Sequence, residues 1–328
     1  MHEGPFSGKH ILITGGAGFI GSNLAIRLIS EGAIVSIVDS MIPEFGGNLK
    51  NLEPIRDQCE LHVADIRDEH SINYHIAGKD FIFNLAGQTS HMDSMRNPFA
   101  DLDINCRAQL SLLEACRRSN PKATVLFAST RQMYGKPDFL PVPETHPIRP
   151  VDVNGINKMA GEAYHTLYQA VYGIPTCCIR LTNTIGPRMR IRDTRQTFLG
   201  IWIRRLLEGD PFEVWGGDQI RDFTYVDDAV NAMMLAASNP VSYGQVFNLG
   251  GPPPIRLRDL AELLVETNGA GSYKIIEFPA DRKPIDIGDY QADDTKIRNA
   301  LSWSHKTTLR EALRQTLDYY RERLSFYK

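Results

Sequence analysis

The segment from His10 to Asp39 constrains the fold of this chain more than any other. A short apolar run, His10-Ile11-Leu12-Ile13-Thr14, leads into Gly15-Gly16-Ala17-Gly18-Phe19-Ile20-Gly21. A helical pattern from Asn23 to Ile29 ends near Gly32, and a second apolar run, Ala33 to Val38, stops at Asp39. Strand, glycine turn, helix and strand in that order make a βαβ unit. The GxxGxxG spacing of Gly15, Gly18 and Gly21 permits a tight turn, lets the backbone approach a pyrophosphate and turns a helix N-terminus toward the anion. A glycine triplet alone marks many ordinary turns. One that follows a strand, opens a helix and is answered by an acidic residue about twenty positions later points to a dinucleotide. Asp39 is placed to accept hydrogen bonds from the adenosine ribose and to repel a 2′-phosphate, and with no arginine in Ser40-Met41-Ile42 NAD is favoured over NADP. Asp65, at the end of the third apolar run, suits either the adenine edge or an ordinary turn.

Further strand-like runs, Leu61–Ala64, Phe81–Leu85, Thr124–Ala128 and Thr176–Leu181, alternate with helical stretches. That alternation predicts an α/β fold, a Rossmann-type doubly wound parallel sheet with helices on both faces. The texture changes after about Gly186: a basic run, Pro187 to Arg192, precedes helix-like stretches at Phe198–Leu207, Leu257–Glu266 and Leu309–Arg323. The expected division is an NAD-binding domain over residues 1–187, with a return around 222–250, and a smaller C-terminal α/β domain over 188–328 that binds the substrate. The 328 residues carry 36 basic and 39 acidic side chains, so no overall field attracts a nucleic-acid backbone or an anionic membrane. No apolar run approaches the length of a membrane span, and MHEGPFSGKH lacks the apolar core of a secretion signal; the expected compartment is the cytoplasm. Five cysteines without CxxC spacing argue against a disulfide framework and a metal site.

Seven segments, TGGAGFIGSNL (14–24), NLAGQ (84–88), INCRAQLSLLEA (104–115), ASTRQMYG (128–135), INKMAGE (156–162), RLTNTIGPR (180–188) and RDFTYVDD (221–228), together resemble the extended short-chain dehydrogenase/reductases. Within them the chain is similar to the NAD-dependent nucleotide-sugar epimerases, dehydratases and decarboxylases. The resemblance covers nearly the whole chain and implies an enzyme with firmly held NAD that oxidises a sugar carbon to a ketone. It implies cofactor contacts from Gly15, Gly18, Phe19, Ile20, Gly21, Asp39, Asp65, Ile66, Leu85, Ala86 and Lys158. It implies substrate contacts from Ser94, Thr130, Arg131, Asn183, Arg188, Arg221 and Arg282, and catalysis by Thr130, which bonds the reacting oxygen, with Lys158.

One position departs from the family. Its catalytic tyrosine, four residues before the lysine, is here Asn154, and a carboxamide cannot titrate near neutral pH. Another group could take the proton; His91 and Asp93 lie on the loop that meets the sugar in the family, and histidine has a suitable intrinsic pKa. Alternatively, the tyrosine has been replaced in a ligand-trapping variant, or the protein binds NAD and a nucleotide sugar without turnover. The family's dehydratases carry an acidic pair after the threonine and its decarboxylases a glutamate at the position of Gln132; this chain reads Thr130-Arg131-Gln132. C4 epimerisation of a UDP-hexose or UDP-uronate is the expected reaction, with decarboxylation of a UDP-uronate next, since Asn183–Met189 resembles the decarboxylase segment. Arg188, Arg190, Arg192 and Arg195 suit either a substrate carboxylate or a solvated face, and Phe198, Trp202 and Trp215 either the core or a stacked base. Helical stripes Leu102, Ala108, Leu112, Ala115 and Met159, Ala163, Leu167, Val171 correspond to helices that family members pair into a four-helix bundle, so a homodimer is expected.

Overall fold

The computed structural model describes residues 4–195, 197–280 and 282–328. The amino-terminal part runs β1 (His10–Thr14), α1 (Phe19–Ser30), β2 (Ile34–Asp39), β3 (Cys59–Val63), α2 (Glu69–Ile76), β4 (Phe81–Asn84), α3 (His91–Arg96), α4 (Pro98–Leu102), a π-helical turn (Asp103–Arg107), α5 (Ala108–Ser119), β5 (Thr124–Thr130), α6 (Val153–Tyr172) and β6 (Thr176–Leu181). The rest runs β7 (Asn183–Ile185), α7 (Phe198–Glu208), β8 (Phe212–Trp215), β9 (Ile220–Arg221), β10 (Phe223–Tyr225), α8 (Val226–Ser238), β11 (Val246–Asn248), β12 (Ile255–Arg256), α9 (Leu257–Asn268), β13 (Tyr273–Ile276), α10 (Thr295–Leu301) and α11 (Leu309–Arg321).

Seven parallel strands form one sheet in the order β11-β6-β5-β4-β1-β2-β3. Alternate residues of β1 enter opposite cores: Ile11 and Ile13 pack with α1 and α8, while Leu12 packs with α2 and α5. Both faces are covered, which explains why these strands read as unbroken apolar runs. From β1 the chain winds outward to β3 and then crosses back to β4 on the other side. The crevice between β1 and β4 is thus the topological switch point where ligands of such sheets bind. β11 brings residues 246–248 back to the sheet edge beside β6. The smaller strand pairs β7·β10, β9·β12 and β8·β13, with α7 and α9, stand over the carboxyl ends of the large sheet.

A buried ion pair, Arg180 to Glu162 at 2.5 Å, ties β6 to α6, and Ser129 Oγ donates to the same carboxylate at 2.7 Å. This fixes the helix that carries Asn154 and Lys158. The helix expected to carry Leu102, Ala108, Leu112 and Ala115 is interrupted by the π turn, and the last three face inward, in the core around Leu12 and Ile82. The outward apolar face keeps Leu102 on α4 and Leu167 and Val171 on α6 from the expected stripes, and Phe99 and Ile156 extend it. Among the described residues no helix is long and apolar enough to cross a membrane.

Candidate active site

The glycine turn cannot be built from other residues. Gly15 has φ +70°, and a Cβ there would lie 2.9 Å from the Ala86 backbone; a Cβ on Gly21 would collide with the Gly15 carbonyl. The close approach leaves the N-terminus of α1 uncapped by any side chain and without acidic residues in its first turn, a setting that favours an anion. Asp39 ends β2 with Oδ2 accepting from Ala17 N at 3.0 Å and Oδ1 from Met41 N at 2.9 Å. Burial raises its carboxyl and those two backbone bonds oppose the rise. Gly15, Gly18, Phe19, Ile20, Gly21, Asp39, Asp65, Ile66, Leu85 and Ala86 all line one chamber at the switch point. Asp65 meets it with its carboxylate already bonded twice by Arg67, which holds that carboxyl below its ordinary value. The cradle and its donors suit NAD.

Thr130, Asn154 and Lys158 line the same chamber. Thr130 ends β5, and its Oγ1 accepts from Gln132 N at 3.1 Å. Lys158 Nζ donates to Ala128 O at 3.0 Å and lies 4.8 Å from the centre of the Phe127 ring; burial pulls it down to about 8, opposed by Asp101. Asn154 is committed to structure. Its Nδ2 donates to Gln88 O at 2.8 Å and to Asp101 Oδ2 at 3.1 Å, while Asn157 Nδ2 donates to Asp101 Oδ1 at 2.8 Å. A buried carboxylate held by two amides occupies the neighbourhood of the missing phenol, and among the described residues no tyrosine lines the cleft.

His91 opens α3 and borders both this chamber and a second one of about 560 Å³ beneath the small strand pairs. Its Nδ1 stands 3.0 Å from Asp152 Oδ2, with the ring side chain 39% exposed and the carboxylate fully buried. Asp152 caps α6 by accepting from Gly155 N at 2.7 Å and also takes a bond from Gln132 Nε2 at 2.8 Å. Burial raises its carboxyl, but the nearness of His91 and the bonds from Gly155 N–H and Gln132 together bring it below the ordinary value. At 3.0 Å the pair is close, although Nδ1 does not complete a hydrogen bond to the carboxylate; in the tautomer that carries its proton on Nδ1, toward Asp152, Nε2 is an acceptor. Asp93, the other candidate on this loop, is paired with Arg195 at 2.8 Å and Arg96 at 3.7 Å. Sequence reasoning did not single out Asp152 or Asp101; the one available signal was an aspartate at the cap position of the helix that carries Lys158.

The second chamber gathers Arg131, Asn183, Arg221 and Arg282. Arg131 Nη2 donates to Asn183 Oδ1 at 3.0 Å. Arg221 pairs with Asp286 at 3.1 Å and donates to Gly288 O, and Arg282 sits 4.7 Å from the centre of the Trp215 ring. Two residues expected at the substrate lie elsewhere. Ser94 is fully buried and joins helices, donating to His91 O at 2.7 Å and accepting from Asn154 N. Arg188 turns away, donating to Asn23 Oδ1 at 2.9 Å and lying over Tyr319. Of the basic run, Arg195 reaches the chamber, paired with Asp93 and Asp193.

The chain is 31% identical over 313 residues to a putative UDP-glucose 4-epimerase of Methanocaldococcus jannaschii, covering 94% of this chain and 97% of that protein. It is 32% identical to UDP-glucuronic acid decarboxylase 1 of Xenopus tropicalis, covering 96% and 73%. The solved structure of UDP-glucose 4-epimerase with UDP-glucose from Thermotoga maritima superposes with a TM-score of 0.87 at 31% identity, over 96% of this chain and 99% of that one. With the cradle, the switch-point cleft and Lys158 in place, and with the NAD dependent epimerase/dehydratase family matching residues 11–250, the chain belongs to that family.

Proposed function

We propose that this protein is a nucleotide-sugar epimerase, inverting C4 of a UDP-hexose or UDP-uronate through a keto-sugar, in which the His91–Asp152 pair moves the proton. The observation that carries this is the imidazole standing 3.0 Å from a buried carboxylate at the junction of the two chambers, beside a site where Asn154 cannot titrate. Bound in the glycine cradle, NAD supplies a hydride acceptor and then, reduced, a hydride donor. Thr130 hydrogen-bonds the reacting hydroxyl. His91 Nε2 takes its proton as the alcohol becomes a ketone, and Asp152 stabilises the imidazolium. His91 returns the proton once the ketone is reduced on its other face. Lys158 orients the cofactor ribose, and Arg221 and Arg282 take the pyrophosphate.

Decarboxylation of a UDP-uronate is the second reading, favoured by the decarboxylase relatives at similar identity; Gln132, bonded to Asp152, leaves it without the family's glutamate. Incubation with UDP-glucose and UDP-glucuronate, followed by chromatography of products and trapping of carbon dioxide, separates the two. An epimer without gas supports the proposal, and gas release or no product from either sugar refutes it. The apolar face of α4 and α6, with Phe99 75% and Val171 59% exposed, supports a homodimer through a four-helix bundle, which sedimentation at micromolar concentration tests.

A further inference from the structure

The second chamber holds more cationic charge than its own carboxylates neutralise. Arg195 is paired with Asp93 and Asp193, Arg96 with Asp93, and Arg221 with Asp286. Arg131, Arg205 and Arg282 also line it, and none of the three has a carboxylate at ion-pair distance among the described residues. Arg205 is exposed and Arg282 lies against Trp215, so both are readily accommodated as solvated or stacked cations. Arg131 is not. Its Nη1 is buried without a hydrogen-bond partner among the described residues, its guanidinium lies 5.0 Å from the centre of the buried Tyr290 ring, and only Nη2 is used, on Asn183.

The groups around Arg131 oppose its charge but leave its Nη1 donor unfilled. Asp222 and Asp286 act on it electrostatically, but Asp286 is committed to Arg221. Asp222 accepts from Ala292 N through Oδ2, while its buried Oδ1 has no partner among the described residues. Burial pushes the Asp222 carboxyl up to about 6, against the pull of Arg131. Arg221 is a second guanidinium within electrostatic reach, held down at about 10 by burial and then by Arg131. Asp222 acts on both guanidiniums, but its bonded oxygen is taken by Ala292 N and no carboxylate oxygen is hydrogen-bonded to Arg131 Nη1 among the described residues. A pyrophosphate brings two charges, matched by Arg221 and Arg282, which border only the second chamber. Arg131 borders both chambers, directly after Thr130 and in company with His91 and Gln132. It therefore meets the sugar rather than the phosphates.

We infer that Arg131 binds a carboxylate on the sugar, so that the substrate is a nucleotide-linked uronic acid. This rests on the nucleotide-sugar reading of the cleft. A guanidinium accepts a carboxylate through two parallel N–H···O bonds, whereas a neutral hexose offers only a hydroxyl at that carbon.

The test is calorimetric titration of the NAD-loaded protein with glucose and glucuronate, each linked to UDP and to dTDP, using the unaltered chain, Arg131→Leu and Arg131→Lys, with products analysed in parallel. The unaltered chain should prefer one glucuronate nucleotide by about tenfold to a hundredfold over its glucose counterpart, the range of a charge-assisted hydrogen bond. Arg131→Leu should abolish that preference and Arg131→Lys retain part of it. Equal affinity for both sugars, or an Arg131→Leu loss of the same size for both, overturns the inference. Should Arg131→Leu fail to melt cooperatively, the preference of the unaltered chain and the Arg131→Lys comparison decide. An Arg131-dependent preference without turnover supports this inference while refuting the catalytic proposal; turnover without preference does the reverse. No binding of any of the four overturns both.

Discussion

Replacing Asp152 with asparagine should abolish most turnover while leaving the fold intact. Asparagine is as good a helix cap as aspartate, so the bond from Gly155 N that starts α6 survives. The other oxygen of Asp152 accepts from Gln132 Nε2 at 2.8 Å and has His91 Nδ1 3.0 Å away. An amide nitrogen in that place can only donate. His91 Nδ1 must then accept, which moves the ring proton to Nε2 and removes the acceptor that faces the substrate. The lost charge adds to this. An imidazolium 3.0 Å from a carboxylate gains about 5 kcal/mol at an effective dielectric constant near 20. Because the ring is 39% exposed, water screens the larger part, leaving about 2 kcal/mol, or roughly thirtyfold, from charge alone. With the tautomer error, kcat should fall by about 10² to 10⁴, while KM, NAD content and melting temperature change little. The assay is chromatographic separation of epimers after timed incubation. A kcat within threefold of the unaltered chain would remove His91 and Asp152 from the chemistry.

Other consequences follow from the same geometry. Lys158 loses its proton near 8 in the folded chain and near 10.5 in the unfolded one. Between those values the unfolded state binds the proton more tightly, so cofactor-stripped protein should gain up to about 3 kcal/mol of stability as pH rises through that window. Denaturant melts of Lys158→Met should lack this slope, and an unchanged slope would assign it to another group. Gly21→Ala places a methyl against the Gly15 carbonyl and should release NAD during purification; a full complement of NAD by absorbance would contradict the cradle. Asp101→Ala leaves Asn157 Nδ2 without its acceptor and Asn154 Nδ2 with Gln88 O alone and should destabilise the protein by about 1 to 3 kcal/mol, read from chemical denaturation.

The cofactor half of this site was legible because its requirements are local. Gly15 to Asp39 form one contiguous βαβ unit in which each residue type answers a steric or electrostatic demand of its immediate neighbours. The proton relay was only half legible. Histidine drew attention by its chemistry, but His91, Gln132 and Asp152 meet only because the segments after β4 and β5 and the start of α6 converge at the carboxyl ends of these central strands, and nothing in their spacing announces that. Arg188 sat in a familiar segment, yet its backbone takes φ +73° and its side chain bonds Asn23, a conformation the sequence does not display. The stripe on α5 failed for a different reason. A period of 3.6 marks an apolar face without saying whether the sheet or a second copy covers it, and Ala108, Leu112 and Ala115 cover the sheet.

In the proposed reaction a sugar alcohol is oxidised and reduced within the cleft with His91 carrying the proton. Mass spectrometry of a nucleotide sugar incubated in deuterated water with the unaltered chain and with His91→Gln tests it most directly. The unaltered chain should give an epimer that carries no deuterium on carbon, and His91→Gln at least about a hundredfold less epimer. Deuterium at the inverted carbon, or full-rate turnover by His91→Gln, would contradict it.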